Sequence, residues 1–499
     1  MGRLLALTAV TAAVSGAGCS FGQSGIEPPA DRIFLPAGIA ADPAADLLYV
    51  VNSNSDLRFN AGTITVVDMA AARAVRAQAA VDPPPICPKT RFSRTEDVPN
   101  NYCCRDLVDS NVINCVEPQF IQADATASLG SFGGAIALQT FERNNELVRR
   151  LYVAVRAEPS ITFADVTVRD GKAAVRCTGP RSGESSQTAG AYCDDGWRLR
   201  RPAGVTPGAL VLPEEPHVLA LDQALGVLYV GHLTVSTTAQ VEGGGVSSVD
   251  ICNPASPNSV RFAGLARTTF LPETLTQAVA ALSPGDPAAP STRVYASARY
   301  SSSISGMVLR SASEQACDAT LDEPPVRDLT LVPTESFRSP AFLPYGSDIR
   351  GILFSHDGGK AFVLHRNEST SSSNPAALVA LDRTPRADGS LVNTPLAITA
   401  MCSGPTDMKL HDAGRGDRIY VTCYDDGLVY VVEPDTLGVV ASIDVGAGPT
   451  SLVFSPLDPG VAYIASYANS HLSIIDLKPG SPTENHAILR VGLPHGYGE

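Results

Sequence analysis

Near the C-terminus the apolar and polar positions of the chain repeat themselves. The segment RIYVTCYDDGLVYVVEPDTLGVVASIDVGAGPTSLVFSPLDPGVAYIASYANSHLSIIDLKPG holds one pattern twice. An apolar strand ends in a turn, an aromatic opens a second strand, a polar turn follows, a third strand ends on an acidic residue, and a fourth closes the unit. Within LVYVVEP, Leu428, Tyr430 and Val432 share one face, while Val429 and Val431 share the other. Both faces are apolar, which predicts sheets packed on both sides rather than a sheet with one face in water.

The aromatic of the second strand recurs as Tyr49, Tyr152, Tyr229, Tyr295, Phe362, Tyr420 and Tyr463. Seven markers predict seven four-stranded units, and the 43 residues between Tyr420 and Tyr463 match one propeller blade without insertion. The acidic end of the third strand is a second marker, because such a residue can start an Asx-type turn. Asp68, Asp165, Asp250, Asp382, Glu433 and Asp476 supply it; the fourth unit has Arg310 and Ser311 instead. The reading is an all-β, seven-bladed β-propeller of four-stranded antiparallel blades over residues 33–499, with long inter-blade insertions at about 81–130 and 178–213. HAILRVG at the C-terminus is expected to be the outer strand of the last blade, with DRIFLPAG from the N-terminus packed beside it.

The segments LYVVNS, LYVAVR, LYVGHL and IYVTCY resemble the YVTN family of β-propeller repeats, over roughly residues 33–492. The resemblance implies the fold. It leaves the activity open, since such propellers include cell-surface proteins, sugar-lactone hydrolases and electron-transfer subunits.

Composition narrows the partners. With 51 acidic and 37 basic residues the net charge is −14, a balance that repels phosphate backbones and argues against nucleic acid. The cluster Arg198, Arg200 and Arg201 beside Trp197 is the main local exception and reads as a solvated loop. The apolar run from Leu4 to about Val14, followed by small residues, reads as a signal peptide over residues 1–18. Gly-Ala-Gly-Cys at its end resembles a bacterial lipobox, with Cys19 as the lipidated residue, residues 19–32 as a tether, and Ser20 implying outer-membrane sorting; ordinary signal cleavage is the alternative. No later run is long enough for a transmembrane helix.

Ten cysteines remain after Cys19, and export makes disulfides the default. Expected pairs are Cys402 with Cys423, Cys177 with Cys193, and Cys252 with Cys317, each within neighbouring strands or one insertion. Cys87, Cys103, Cys104 and Cys115 cannot be ordered from sequence. No Cys-x-x-Cys pair exists to suggest zinc, and no metal or other cofactor is expected.

Chemistry in a propeller is expected at the channel mouth, just before each innermost strand. Alignment on Thr450 and Ser451 places Gly38, His217, Arg350 and Asp407 at or near equivalent positions, a mixed ring suited to a carboxylate or a sugar. No catalytic motif accompanies it, and Gly243-Gly244-Gly245, with no following lysine, reads as a flexible loop. The expectation is a monomeric, non-enzymatic binding or scaffolding lipoprotein of the bacterial envelope with a protein or glycan partner and a lipid anchor in the membrane. The alternatives are a periplasmic hydrolase or lactonase using the ring, and a docking subunit for a redox partner.

Overall fold

The computed structural model describes residues 25–88, 98–143, 145–177, 192–193, 197–199, 212–236, 242–252, 266–271, 275–282, 293–299, 301–310, 327–340, 347–367, 376–386 and 391–492. Seven antiparallel sheets follow one another along the chain, and the innermost strand of each packs beside those of its neighbours, the seventh beside the first. The fold is a seven-bladed β-propeller. The innermost strands are Pro36–Ala41, Gly133–Arg143, Pro216–Asp222, Thr276–Leu282, Ser347–Phe354, Pro405–Asp412 and Pro449–Phe454.

Every aromatic marker falls in the second strand of its blade, at 5% exposure or less. The reason is packing. A large flat side chain there fills the gap between two sheets that both present apolar faces, as Tyr152, Phe163, Leu228 and Val230 do between blades 2 and 3. Truncating such a residue to alanine costs about 3–5 kcal/mol. Blade 4 forms its third strand, Ser303–Leu309, without an acidic end.

The acidic markers do different jobs. Asp382 and Asp476 accept from backbone amides two residues on, of Thr384 and Lys478, as Asx turns do. Asp68 instead caps helix α1 (Met69–Val81), accepting from the Ala71 amide. Asp250 does both, accepting from the Cys252 amide two residues on and from buried Arg327, while Asp165 is spent on buried Arg150.

The last blade is closed by His486–Val491, and the N-terminal segment lies alongside, with Ile33 buried and the Leu35 amide donating to Ser470 Oγ. The first insertion completes the closure. Its strands Cys103–Arg105 and Ile113–Cys115 extend blade 7 to six strands, with Ile113–Cys115 pairing parallel to His486–Val491. Disulfides Cys87–Cys104 and Cys103–Cys115 hold this graft, so an insertion leaving blade 1 grips the outer edge of blade 7.

Cys177–Cys193 and Cys402–Cys423 form as expected. Cys252 is disulfide-bonded, and Cys317 lies outside the described residues, as do Cys19 and the leader. Two local expectations need correction. Arg198 is buried, paired with Glu158 and stacked on Tyr192, and Trp197 packs on Phe163, so this part of the second insertion is core rather than solvated loop; Arg200 and Arg201 lie outside the described residues. The triple glycine sits in strand Glu242–Asp250 and is no loop. A Cβ on Gly243 would meet the Leu271 carbonyl at 2.9 Å, and one on Gly245 would meet Val235 at 2.8 Å, so close packing selects glycine there.

Candidate functional site at the channel mouth

In all seven blades the pairing of the innermost strand with the second slips near its start, between Pro36 and Gly38, Gly133 and Ile136, Pro216 and Val218, Thr276 and Val279, Ile349 and Gly351, Pro405 and Met408, and Pro449 and Ser451. A bulge leaves its residue out of the ladder and re-aims the side chain. His217, Arg350, Asp407 and Thr450 occupy such bulges. Gly38 and Ser451 lie one residue past theirs, back in register.

These residues divide into two groups. Thr450 Oγ1 donates to the Pro36 carbonyl at 3.1 Å, and Asp407 accepts from the Leu452 amide at 3.1 Å while pairing with Lys409 at 3.3 Å. Both tie blades 6, 7 and 1 together. Gly38 serves the next seam, between blades 1 and 2, since a Cβ there would clash with the Gly134 carbonyl.

His217 and Arg350 meet through a residue the sequence alignment missed. Gln277, at the blade 4 bulge, accepts from Arg350 Nη1 at 3.1 Å and hydrogen-bonds the His217 ring. Arg350 also pairs with buried Asp348 at 2.6 Å. Three further arginines surround the group. Burial first, then the positive charges of Arg156, Arg350 and Arg299, push the His217 pKa down to about 4, against the hydrogen bond with Gln277. Burial and the charges of Arg366 and Arg299 lower the Arg350 pKa, partly opposed by Asp348.

Arg156, Arg299 and Arg366 share one signal in the sequence: each stands four residues after the aromatic marker. That position reads Ser53, Arg156, Leu233, Arg299, Arg366, Tyr424 and Tyr467 around the ring. Its backbone amide bonds to the carbonyl just before the innermost strand in blades 1, 2, 3, 4, 6 and 7, on Leu35, Phe132, Glu215, Leu275, Gly404 and Gly448. Leu35, Phe132 and Glu215 adopt φ of 46°, 58° and 49° to offer that carbonyl, a left-handed conformation that L side chains rarely take. The rim is thereby fixed by the backbone, while its side chains vary. Arginines fill it from blades 2, 4 and 5; Tyr424, Tyr467 and Ser55, the last two hydrogen-bonded to each other, fill it from blades 6, 7 and 1.

No group of three or more His, Cys, Asp or Glu side chains able to hold a metal ion occurs among the described residues. Elsewhere, a cavity of about 390 Å³ lies between helix α1 and blade 7, lined largely by apolar side chains with Arg73 and Arg76 among them.

The fold and rim define the class as a seven-bladed β-propeller with an arginine-rich channel mouth. No protein-family model matches the chain, and no curated protein matches it. Among solved structures, it is similar to hydrazine synthase from Kuenenia stuttgartiensis, at a TM-score of 0.50 and 13% identity, covering 93% of this chain and 99% of that one. It is also similar to a putative 6-phosphogluconolactonase from Bacteroides fragilis (TM-score 0.45, 11% identity, 83% of this chain and 86% of that one) and a periplasmic gluconolactonase from Pseudomonas aeruginosa (0.42, 13%, 83% and 86%). At these identities the likeness is one of fold.

Proposed function

We propose that the protein is a non-enzymatic binding protein of the bacterial cell envelope, exported, anchored through a lipid on Cys19, and engaging its ligand or partner at the channel mouth. The arginine-rich rim carries this reading. Guanidiniums stay charged at neutral pH and neither give nor take protons, so they recognise anionic groups without offering acid–base chemistry. Among the cluster's possible bases, His217, with a pKa pushed down to about 4, is a weak one, and the Asp348 carboxylate is buried and paired with Arg350. Asp407, the remaining member of the sequence-aligned ring able to act as a base, is tied to Leu452 and Lys409 instead.

The four described disulfides support export, since such bonds persist in oxidising compartments. A surface on the first insertion is a poorer docking site to test by deletion, because the insertion also clasps blade 7.

The decisive experiment is a pH-stat assay with glucono-δ-lactone. The wild-type protein should leave the rate at its uncatalysed value; turnover that disappears in His217→Gln would overturn the non-enzymatic reading in favour of a lactonase. Anchoring is tested by Cys19→Ala, which should move the protein from the membrane to the soluble fraction, and unchanged membrane retention would remove the lipid from the account.

A further inference from the structure

We infer that the arginine crescent formed by Arg156, Arg299, Arg350 and Arg366 is a site for a small organic anion carrying at least two anionic groups. The inference rests on the binding reading above and names the class of ligand. Its first support is placement. Three of the four arginines hold one register position in blades 2, 4 and 5, and the fourth stands on the blade 5 bulge, so side chains far apart in sequence are delivered to one opening. The backbone fixes that position in blades 1, 2, 3, 4, 6 and 7 but does not require arginine at it, as Ser53, Leu233, Tyr424 and Tyr467 demonstrate.

The second support is what these side chains do there. Arg350 pairs with Asp348 below it, and Arg156 pairs with Glu215 at the rim at 3.1 Å. Even so, Nε of Arg156 and Nε of Arg350 are buried without a hydrogen-bond acceptor. A buried donor left unmade costs about 1–3 kcal/mol, and clustered like charges add to that cost. A carboxylate arriving at the mouth would offset the clustered charge, accepting from the guanidinium Nη groups.

Third, the members of the crescent enter from different sides. Arg350 and Arg366 belong to blade 5, Arg156 to blade 2, and neutral His217 with Gln277 lies among them. One anionic group can be held at blade 5 and another at blade 2, with His217 and Gln277 hydrogen-bonding the linking portion. The net charge of −14 repels a large polyanion, so the ligand is small enough to enter a local positive field.

Isothermal titration calorimetry at low ionic strength, with citrate and succinate as probes and acetate and glucose as comparators, tests the inference. Citrate should bind at one site, more tightly than acetate, and weaken as salt is raised. Arg366→Gln and Arg156→Gln should each weaken citrate about tenfold or more, with thermal melts confirming that both variants fold. Arg415→Gln, on the opposite face and paired with Glu484, should leave citrate affinity unchanged. Two variants are used because Arg350→Gln would strand buried Asp348. Citrate binding that is absent, or indifferent to both substitutions, overturns the inference. Glucose binding that both substitutions abolish, with citrate inert, overturns the ligand class while leaving the binding reading intact; lactone turnover would instead remove the binding reading.

Discussion

Replacing Asp42 by alanine should destabilise the ring at the seam between blades 1 and 2. Asp42 is fully buried and accepts five hydrogen bonds: from the Ala44 and Ala45 amides, both at 2.8 Å, from Tyr49 Oη at 2.6 Å, and from Arg149 Nε and Nη2 at 2.6 and 3.1 Å. Arg149 comes from blade 2 and is 5% exposed. Removing the carboxylate leaves a buried guanidinium without its counter-charge, which costs about 3–5 kcal/mol. The orphaned amides and phenol belong to the same network, so their separate penalties of about 1–3 kcal/mol each do not add in full. Against a total stability of about 5–15 kcal/mol for a domain, the loss is large.

The assay is equilibrium urea unfolding followed by fluorescence. Trp197 is the single tryptophan and packs on Phe163 in blade 2, so it reports the side of the seam that carries Arg149. Asp42→Asn separates the two roles of the side chain, because an amide oxygen can still accept from Ala44 and Ala45 but supplies no charge to Arg149. Asp42→Asn should therefore remain destabilised by about 2 kcal/mol or more, and Arg149→Met added to Asp42→Ala should recover part of the loss. If Asp42→Asn matches wild type, or Asp42→Ala costs under about 1 kcal/mol, the buried pair does not hold the seam.

Burial pushes the pKa of His232 and of His365 down from 6.5 to about 4, so the unfolded chain takes up protons that the folded one refuses, and stability should fall as pH drops from about 6.5 to about 4; urea midpoints against pH should show a shallower slope in His365→Gln, and an unchanged slope would contradict the burial argument. Cys402→Ser with Cys423→Ser opens a loop of sequence separation 21 and should cost about 3 kcal/mol by denaturant unfolding, a loss absent when wild type is compared under reducing conditions. Gly231→Val would place its Cβ 2.6 Å from Val218 and 2.8 Å from Val279, and a melting temperature equal to wild type would show that blades 3 and 4 are less tightly packed than these distances require.

Much of the architecture is legible in the sequence because it depends on a repeated local signal. Two apolar faces, an aromatic and a turn recur seven times, and each copy states the same instruction, so inserted loops do not hide it. Helix α1 is less legible because it occurs once, in an alanine-rich run after a residue, Asp68, that serves equally well as a turn residue or a helix cap. The graft of Cys103–Arg105 and Ile113–Cys115 onto blade 7 depends on a long-range parallel pairing that leaves no local trace. At the mouth, His217, Arg350, Asp407 and Thr450 were locatable by alignment on the innermost strand. The rim arginines carry an equally local signal, four residues beyond the aromatics of blades 2, 4 and 5, but the position is polar or aromatic in most blades and so marks no site by itself. Gln277 required the structure, since the spacing from Leu275 to Tyr295 is altered by an insertion within blade 4.

What apolar repetition cannot specify is which blade stands next to which, because seven faces of Val, Ile, Leu and Tyr are nearly interchangeable in hydrophobic terms. The buried charges supply distinct pairings between neighbours. Arg149 of blade 2 reaches Asp42 of blade 1, Arg327 of blade 4 reaches Asp250 and two carbonyls of blade 3, Arg383 of blade 5 reaches Tyr295 and Glu335 of blade 4, and Arg490 of blade 7 reaches Asp444 of blade 6. Each contact is local to one seam and would be lost by a slip in blade order or register, which for Arg149 and Arg327 would strand a buried guanidinium. The same residue type thus has two uses in this chain. Between the blades each arginine stands alone against the carboxylates and carbonyls of the facing sheet; at the mouth Arg156, Arg299 and Arg366 share one register position around a single opening beside Arg350, and that gathering of like charge, rather than an unfilled donor, is what distinguishes a recognition surface from a seam, since Nε of Arg383 and Arg490 is as unpartnered as Nε of Arg156 and Arg350.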